Sequence, residues 1–222
     1  EIYKTGHGPS SSHTMGPRLA AQQFLSRVPN AHSYTVTLYG SLAATGLGHL
    51  THITIQSIFE NKKLTLNSLP KEFMPRHSNA MKFEAFKEDG TKLDEWVAYS
   101  IGGGTVIDDN TVLEKNSIYP LTSMEKILEW CYKNGKHLWE YVEKYEDKDI
   151  WDYLTDAWEV MKDSIARGLD TEATLPGKLK LQRKASSVYL KAKNFKDPIR
   201  KRSMLYAYSL AVSEENAAGN KI

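Results

Sequence analysis

A change of hydrophobic period near residue 120 constrains the fold more than any other feature of this chain. Before it, apolar residues alternate in short runs; after it, they recur every three to four residues. Tyr34–Tyr39 (YTVTLY) alternates and is rich in β-branched and aromatic residues, which predicts a strand. Ala80–Lys87 and Lys92–Ile101 flank Asp89-Gly90, a dipeptide that supplies the positive φ of a tight turn, and are predicted to pair as an antiparallel hairpin. Gly102–Gly104 breaks the second strand and Thr105–Ile107 resumes it. Pro17 suits the first turn of a helix, where its missing N–H costs nothing, and Leu19, Ala20, Gln23 and Phe24 continue one face. Gly40–Gly48 reads as small and turn-rich, followed by a helix over Leu50–Phe59.

The second half is predicted to be helical throughout. Thr122 with Glu125 is a capping-box pattern, and Ile127, Leu128, Trp130 and Cys131 form an apolar face that ends at Asn134-Gly135. A second helix carries Leu138, Trp139, Tyr141, Val142 and Tyr145. A third starts near Asp149, buries Ile150, Trp151, Leu154, Trp158, Met161 and Ile165, and takes Gly168 as its C-terminal cap. Leu175-Pro176-Gly177 marks a loop, and 185–193 and 203–215 are further helices. The expected class is α+β: an antiparallel sheet with helices over residues 1–120, then an all-helical segment over 121–222, with the boundary near 112–121 and Pro120 as punctuation.

Composition excludes several function classes. The 222 residues are 41% hydrophobic and 25% charged, enough for a real core. Lys plus Arg number 29 against 27 Asp plus Glu, a net charge of +2 that favours neither nucleic acid nor a membrane surface. No apolar run approaches the ~20 residues of a membrane-spanning helix. The single cysteine excludes a disulfide framework and any multi-cysteine metal site built from this chain alone. Cys131, set among apolar residues, is expected to be a buried, inert thiol. The Trp and Tyr residues of 130–158 fall at helical spacing and are expected in the core. The basic runs Lys178–Lys184 and Lys191–Arg202, with acidic residues dense over 140–163, read as a mixed solvated surface. The chain opens on Glu1 without a charged-then-apolar signal segment, and the small polar stretch Ser213–Asn220 reads as a tail or a cut.

The stretch richest in chemistry is Ser10-Ser11-Ser12-His13-Thr14, placed between Gly8-Pro9 and Gly16-Pro17. A helix start offers unpaired backbone N–H groups and partial positive charge, hydroxyls add donors, and His13 adds a donor or a base near neutral pH. A carboxylate or phosphate could bind there; the other reading is one capping serine within a polar loop. Thr45-Gly46-Leu47-Gly48-His49 is a second candidate. His49 and His52 stand three apart, as a metal pair would on a helix face, but no carboxylate lies within seven residues. Turn glycines and surface histidines are the plainer reading. Gly102–Gly104 is read as an anion nest, or as a strand end or bulge.

Gly8–Pro17 (GPSSSHTMGP) resembles the N-terminal signature of the iron–sulfur-dependent L-serine dehydratases. Tyr39–Gly46 (YGSLAATG), Ser100–Gly104 (SIGGG), Leu175–Ala185 (LPGKLKLQRKA) and Ser213–Gly219 (SEENAAG) agree in order, so the resemblance spans essentially the whole chain. It implies a cytoplasmic, homodimeric lyase that converts L-serine to pyruvate and ammonia without pyridoxal phosphate. It also implies a substrate-binding-like β part over residues 1–120, then a helical connection and the beginning of a catalytic α part. In the family the chain continues past SEENAAG into cysteines that hold a [4Fe–4S] cluster, so the resemblance implies ligands outside this chain and no metal-ligating residue within it. The open iron of that cluster acts as a Lewis acid on the serine hydroxyl. Ser11, Ser12 and Thr14 are then expected to bind the substrate carboxylate, with His13 as a binding donor or proton shuttle. Gly46 and His49 are further substrate-binding candidates, the metal pair is dropped, and Glu214 and Asn216 contact the amino acid from the α side or cap a helix. Leu47 and His52 stand where the family usually has a basic and an acidic residue, and Asn220-Lys221 replaces its usual Gly-Arg.

The leading expectation is thus the N-terminal portion of an L-serine dehydratase, inactive in this form, with L-serine as its small-molecule substrate and neither nucleic acid nor membrane as a partner. A non-catalytic amino-acid-binding regulatory module and a purely structural dimerisation domain are the alternatives.

Overall fold

The computed structural model describes residues 3–112, 117–177 and 179–222. Glu1, residues 113–116 of the expected boundary, and Lys178 of the expected basic run lie outside the described residues. After a π-helical turn at Ser11–Met15, the elements are α1 (Gly16–Arg27), β1 (Ser33–Tyr39), α2 (Gly40–Thr45), α3 (Thr51–Ile58), β2 (Leu64–Leu69), β3 (Ala80–Phe86), β4 (Lys92–Gly102) and β5 (Thr105–Ile107). Helices α4 (Met124–Asn134), α5 (Leu138–Tyr145), α6 (Ile150–Asp170), α7 (Ala185–Ala192) and α8 (Ile199–Ala217) follow. The class is α+β, as expected. By compactness the chain forms two units, residues 1–111 with 160–222 and residues 112–159, and the division falls inside α6.

The sheet is five-stranded in the order β2-β1-β3-β4-β5. The predicted hairpin is β3–β4, with Ala80 opposite Tyr99 and Phe83 opposite Trp96, and Gly90 takes φ +83° in its turn. One strand has no sequence counterpart above. β2 pairs parallel to β1 at the edge, Val36 opposite Leu66, so the sheet is mixed rather than purely antiparallel. The connection that makes this possible runs through α2 and α3. Gly40–Thr45 is therefore helical, not a turn-rich loop. Gly103 and Gly104, at φ +57° and +71°, form the two-residue turn that joins β4 to β5. Positive φ at both positions matches the twist of a tight hairpin, which is what the glycine run provides.

Val36, Leu38, Phe83, Ala85 and Ala98 face Ala20, Ala21 and Phe24 of α1 and Ile55 of α3, all buried. Full burial of a side chain such as Phe24 is worth about 1.5–3 kcal/mol. The strand alternation and the helical period of α1 thus meet in one core on one face of the sheet.

The helical half departs from expectation in three places. Ser123, not Thr122, caps α4, accepting from the Lys126 amide at 3.4 Å. Gly135 closes it with φ +60°, as predicted. The aromatic residues at helical spacing are largely exposed: Tyr132 by 90%, Trp158 by 54% and Trp139 by 52%, although Tyr141 and Cys131 are buried. Helical spacing says that residues share a face; it does not supply a partner for that face. Finally, α6 runs through Gly168 to Asp170, so this glycine caps nothing. A Cβ built on it would lie 2.6 Å from the Ala211 carbonyl oxygen and 2.7 Å from its Cβ. Gly168 is where α6 and α8 touch. Replacing a mid-helix Gly by Ala ordinarily stabilises by about 1 kcal/mol. Here Gly168→Ala is expected to destabilise by roughly 1–3 kcal/mol, because backbone must move. A urea midpoint above that of the unmodified chain would refute the packing argument.

The two ends of the chain pair with each other. Gly6 and Ile222 exchange backbone hydrogen bonds at 2.9 and 2.8 Å, and the Gly8 amide donates to the Asn220 carbonyl at 3.1 Å. The end of α8 is thereby held beside the loop that opens the π-helical turn.

Candidate functional site

The site grows from Ser10. Its backbone is extended, at φ −143° and ψ 131°, its hydroxyl accepts from the His13 amide at 3.2 Å, and its carbonyl accepts from the amides of Thr14 and Met15 at 2.9 and 3.1 Å. The Ser10–Met15 bond spans five residues, which makes the turn π-helical and swings the His13 side chain out of α-helical register. The amides of residues 13 to 16 are consumed within the turn. The amides of Ser11 and Ser12 lie ahead of any helical acceptor, so the expected opening is narrower than a plain helix start.

His13 is fixed at both ring nitrogens. Nδ1 is 2.9 Å from the Ser12 hydroxyl and Nε2 is 3.0 Å from the Ser41 hydroxyl. Ser10 Oγ lies 3.5 Å from Ser12 Oγ, extending the chain of hydroxyls. The His49 ring stands 4.8 Å from the His13 ring, tilted by 46°. The Thr51 hydroxyl donates to the His13 carbonyl at 2.5 Å, clasping α3 to the turn. Burial, and then the neighbouring His49, lower the His13 pKa below the ordinary histidine value, against an opposing hydrogen bond at Ser41. The ring is therefore biased toward its neutral form.

The sequence candidates divide into those that form this cluster and those that hold it. Ser12, His13 and His49 come together, and Ser11 is exposed beside them. Thr14 is buried and fully engaged: its hydroxyl accepts from the Ser10 amide at 3.3 Å and donates to the His49 carbonyl at 2.7 Å. Gly46 is buried where a Cβ would lie 2.3 Å from the Leu42 carbonyl oxygen, and its own carbonyl accepts from the Thr51 amide at 2.9 Å. It shapes the turn that carries His49. Asn216 reaches the loop, donating to the Pro9 carbonyl at 3.2 Å. Glu214 does not: its carboxylate accepts from the amides of Lys184 and Ala185 at the start of α7, at 2.6 and 3.3 Å.

Two residues were not singled out from the sequence. Ser41 sits inside YGSLAATG but 28 positions from His13, so only the fold brings them together. Ser100, the first residue of SIGGG, is fully buried against the start of α1, where a Cβ on Gly16 would lie 2.0 Å from its hydroxyl. The ordered appearance of these motifs in the sequence was the available signal.

A [4Fe–4S] cluster does not fit the residues present. Such a cluster takes cysteine thiolates, and the one cysteine, Cys131, is buried in α4. Among the described residues there is no group of three or more His, Cys, Asp or Glu placed to hold a metal ion. No helix of the described residues is long and apolar enough to cross a membrane.

The chain is a small α+β module with a serine-rich π-helical turn, an imidazole pinned between two hydroxyls and a second imidazole beside it. The family profile described as serine dehydratase beta chain matches residues 1–63 and 55–111, and the chain belongs to that family. It is 31% identical over 277 aligned positions to the L-serine dehydratase of Haemophilus influenzae, covering 100% of this chain and 61% of that protein. L-serine dehydratase 1 of Escherichia coli K12 is 29% identical over the same shares. The L-serine dehydratase of Helicobacter pylori strain J99 is 30% identical, covering 100% of this chain and 60% of that protein. The chain thus spans about three fifths of the length of the relatives it matches.

Proposed function

We propose that this chain forms the substrate-carboxylate-binding part of an L-serine dehydratase, the lyase that converts L-serine to pyruvate and ammonia. Residues 1–120 supply the binding part, and 121–222 the helical connection and the start of the catalytic part. The observation that carries the reading is the His13 ring held between the hydroxyls of Ser12 and Ser41 at the open first turn. The hydroxyls of the turn and the amides of Ser11 and Ser12, which lie ahead of any helical acceptor, suit the carboxylate of an amino acid, since charge-assisted hydrogen bonds are the strong ones. The names of the relatives supply the substrate class.

The net reaction removes a proton from Cα and the hydroxyl from Cβ; the resulting enamine becomes an imine, which hydrolyses. In this proposal the chain's own residues bind and orient: Ser11 and Ser12 hold the carboxylate, His13 donates or moves a proton, and His49 flanks it. The iron–sulfur cluster belongs to polypeptide outside this chain, and the chain alone is inactive. The family resemblance supports a homodimer in the cytoplasm.

Calorimetric titration of the chain with L-serine, and with glycine as a carboxylate that lacks the hydroxyl, tests the reading. Both are expected to bind, and Ser12→Ala to weaken both roughly tenfold, the low end of a hydrogen bond to a charged group because the site is half-exposed. Equal affinities in Ser12→Ala and the unmodified chain would remove the site. Micromolar L-serine binding, with no turnover when the remaining part of a relative is supplied in trans, would favour a regulatory module.

A further inference from the structure

The Ser12–His13–Ser41 arrangement has a property that neither serine has by itself. A neutral imidazole carries one N–H and one lone pair. With a hydroxyl on each nitrogen, one serine must accept from the ring while the other donates to it. The accepting serine keeps its own hydrogen to donate elsewhere, with Ser10 Oγ 3.5 Å away as one acceptor in the case of Ser12; the donating serine does not. When the ring is protonated, both nitrogens donate, both serines accept, and both hydroxyl hydrogens become available together.

Ser41 is held for this task by its backbone. Gly40 lies at φ +48°, and a Cβ there would lie 2.6 Å from the Ser78 carbonyl oxygen, so the strand-to-helix turn needs glycine. The Ser41 amide donates to that same Ser78 carbonyl at 3.0 Å, and its carbonyl accepts from Thr45 Oγ1 at 2.8 Å. Ser12 is held by the turn itself, within reach of Ser10.

We propose, building on the carboxylate-binding reading above, that Ser41 is a positioning residue that couples anion binding at this site to protonation of His13. The neutral relay offers one hydroxyl hydrogen; an arriving carboxylate draws a proton onto the ring, and the second hydroxyl hydrogen is released with it. Binding then takes up a proton, and affinity for a carboxylate falls as pH rises through the titration of His13. His49 is the titratable group that acts on His13, its ring tilted against it at 4.8 Å, while Arg18 and Lys221 act on His7 before the turn. His49 disfavours the protonated ring in the free protein. A bound anion offsets that repulsion.

Long-range 1H–15N spectra of the His13 ring in the full chain, with and without saturating L-serine between pH 5 and 8, read the relay directly. Saturation is expected to raise the His13 pKa by about one unit, equivalent to a tenfold preference of the ligand for the protonated ring. Ser41→Ala is expected to shift the Nε2 signal of the free protein and to shrink the ligand-induced rise, and Ser41→Thr, which keeps the hydroxyl, to restore both. An unchanged Nε2 signal in Ser41→Ala overturns the role of Ser41 whether or not ligand binds. If L-serine binds with His13 neutral throughout, the coupling fails while the carboxylate-binding reading stands. If L-serine does not bind at all, that reading fails, and the coupling with it.

Discussion

Replacing Glu215 by alanine is expected to destabilise the chain by about 3–5 kcal/mol, the range for removing one member of a buried ion pair. Glu215 is 1% exposed and accepts from Arg183 Nη1 at 2.8 Å, Arg167 Nε at 2.9 Å and Asn220 Nδ2 at 3.0 Å. The Arg183 side chain is itself 5% exposed, so the variant leaves a guanidinium desolvated and unpaired. Arg167 is 44% exposed and contributes little to this loss, since solvent screens it. The carboxyl also sets a pH dependence. Burial pushes its pKa up, but the bonds from Arg183, Arg167 and Asn220 outweigh burial and hold it below the ordinary 4.5. A depressed carboxyl stabilises fully above its unfolded pKa and loses that contribution as pH falls through its folded pKa. Stability by urea titration should therefore be level near neutrality and decline below about pH 4.5 in the unmodified chain. Glu215→Gln should be less stable at pH 7 and lose less on acidification. Equal acid slopes in the two proteins would remove Glu215 as the cause.

The consequence reaches the site because three consecutive residues fasten three different segments. Glu214 takes the first amides of α7, Glu215 takes Arg183 and Arg167, and Asn216 takes the Pro9 carbonyl. The stretch SEENAAG was expected to touch substrate or cap a helix. Its placement shows Glu214 capping α7 rather than its own helix, a contact 30 positions away that helical period cannot reveal.

What was legible in the sequence was local. Asp89-Gly90 predicts its hairpin because the turn chemistry and both strands lie within a dozen residues. The serine run predicts a polar turn before a helix because capping is a short-range event. Contacts that only the fold creates were not legible: Ser41 on His13, Ser100 beneath Gly16, and Gly168 against Ala211. Edge strand β2 was missed for a related reason. Its residues alternate only between half-buried and exposed, so the apolar signal that marks a strand is weak. The exposed tryptophans of α5 and α6 mark the opposite error, an apolar pattern read as core where the described chain places solvent. Helix α8, predicted only as a helix, also leaves large apolar side chains outside. Its buried residues are Ala207, Ala211, Glu214 and Glu215, while Leu205 and Tyr206 point outward at 67% and 59% exposure.

Gly16→Ala is expected to cost about 3 kcal/mol or more and to abolish carboxylate binding at any protein stability that survives. The methyl group would lie 2.0 Å from Ser100 Oγ and 2.8 Å from Ser100 Cβ. Rotation of the hydroxyl relieves the first contact but not the second, so β4 or the turn must move, and a well-packed core resists that. The turn is the softer of the two, since β4 is laddered on both sides. Its displacement carries Ser12 and His13 away from Ser41 and from the Thr51 clasp. Backbone conformation offers no competing explanation, because Gly16 lies at φ −59° and ψ −53°, where alanine is at ease. The decisive measurement is a double-mutant cycle with Ser100→Gly, which removes both clashing atoms at the cost of about 1 kcal/mol for glycine in a strand. The double variant should recover both the urea midpoint and L-serine affinity lost by Gly16→Ala. If the two losses simply add, the helix start and the strand are not in contact through these residues, and Ser100 has no part in seating the turn that carries His13.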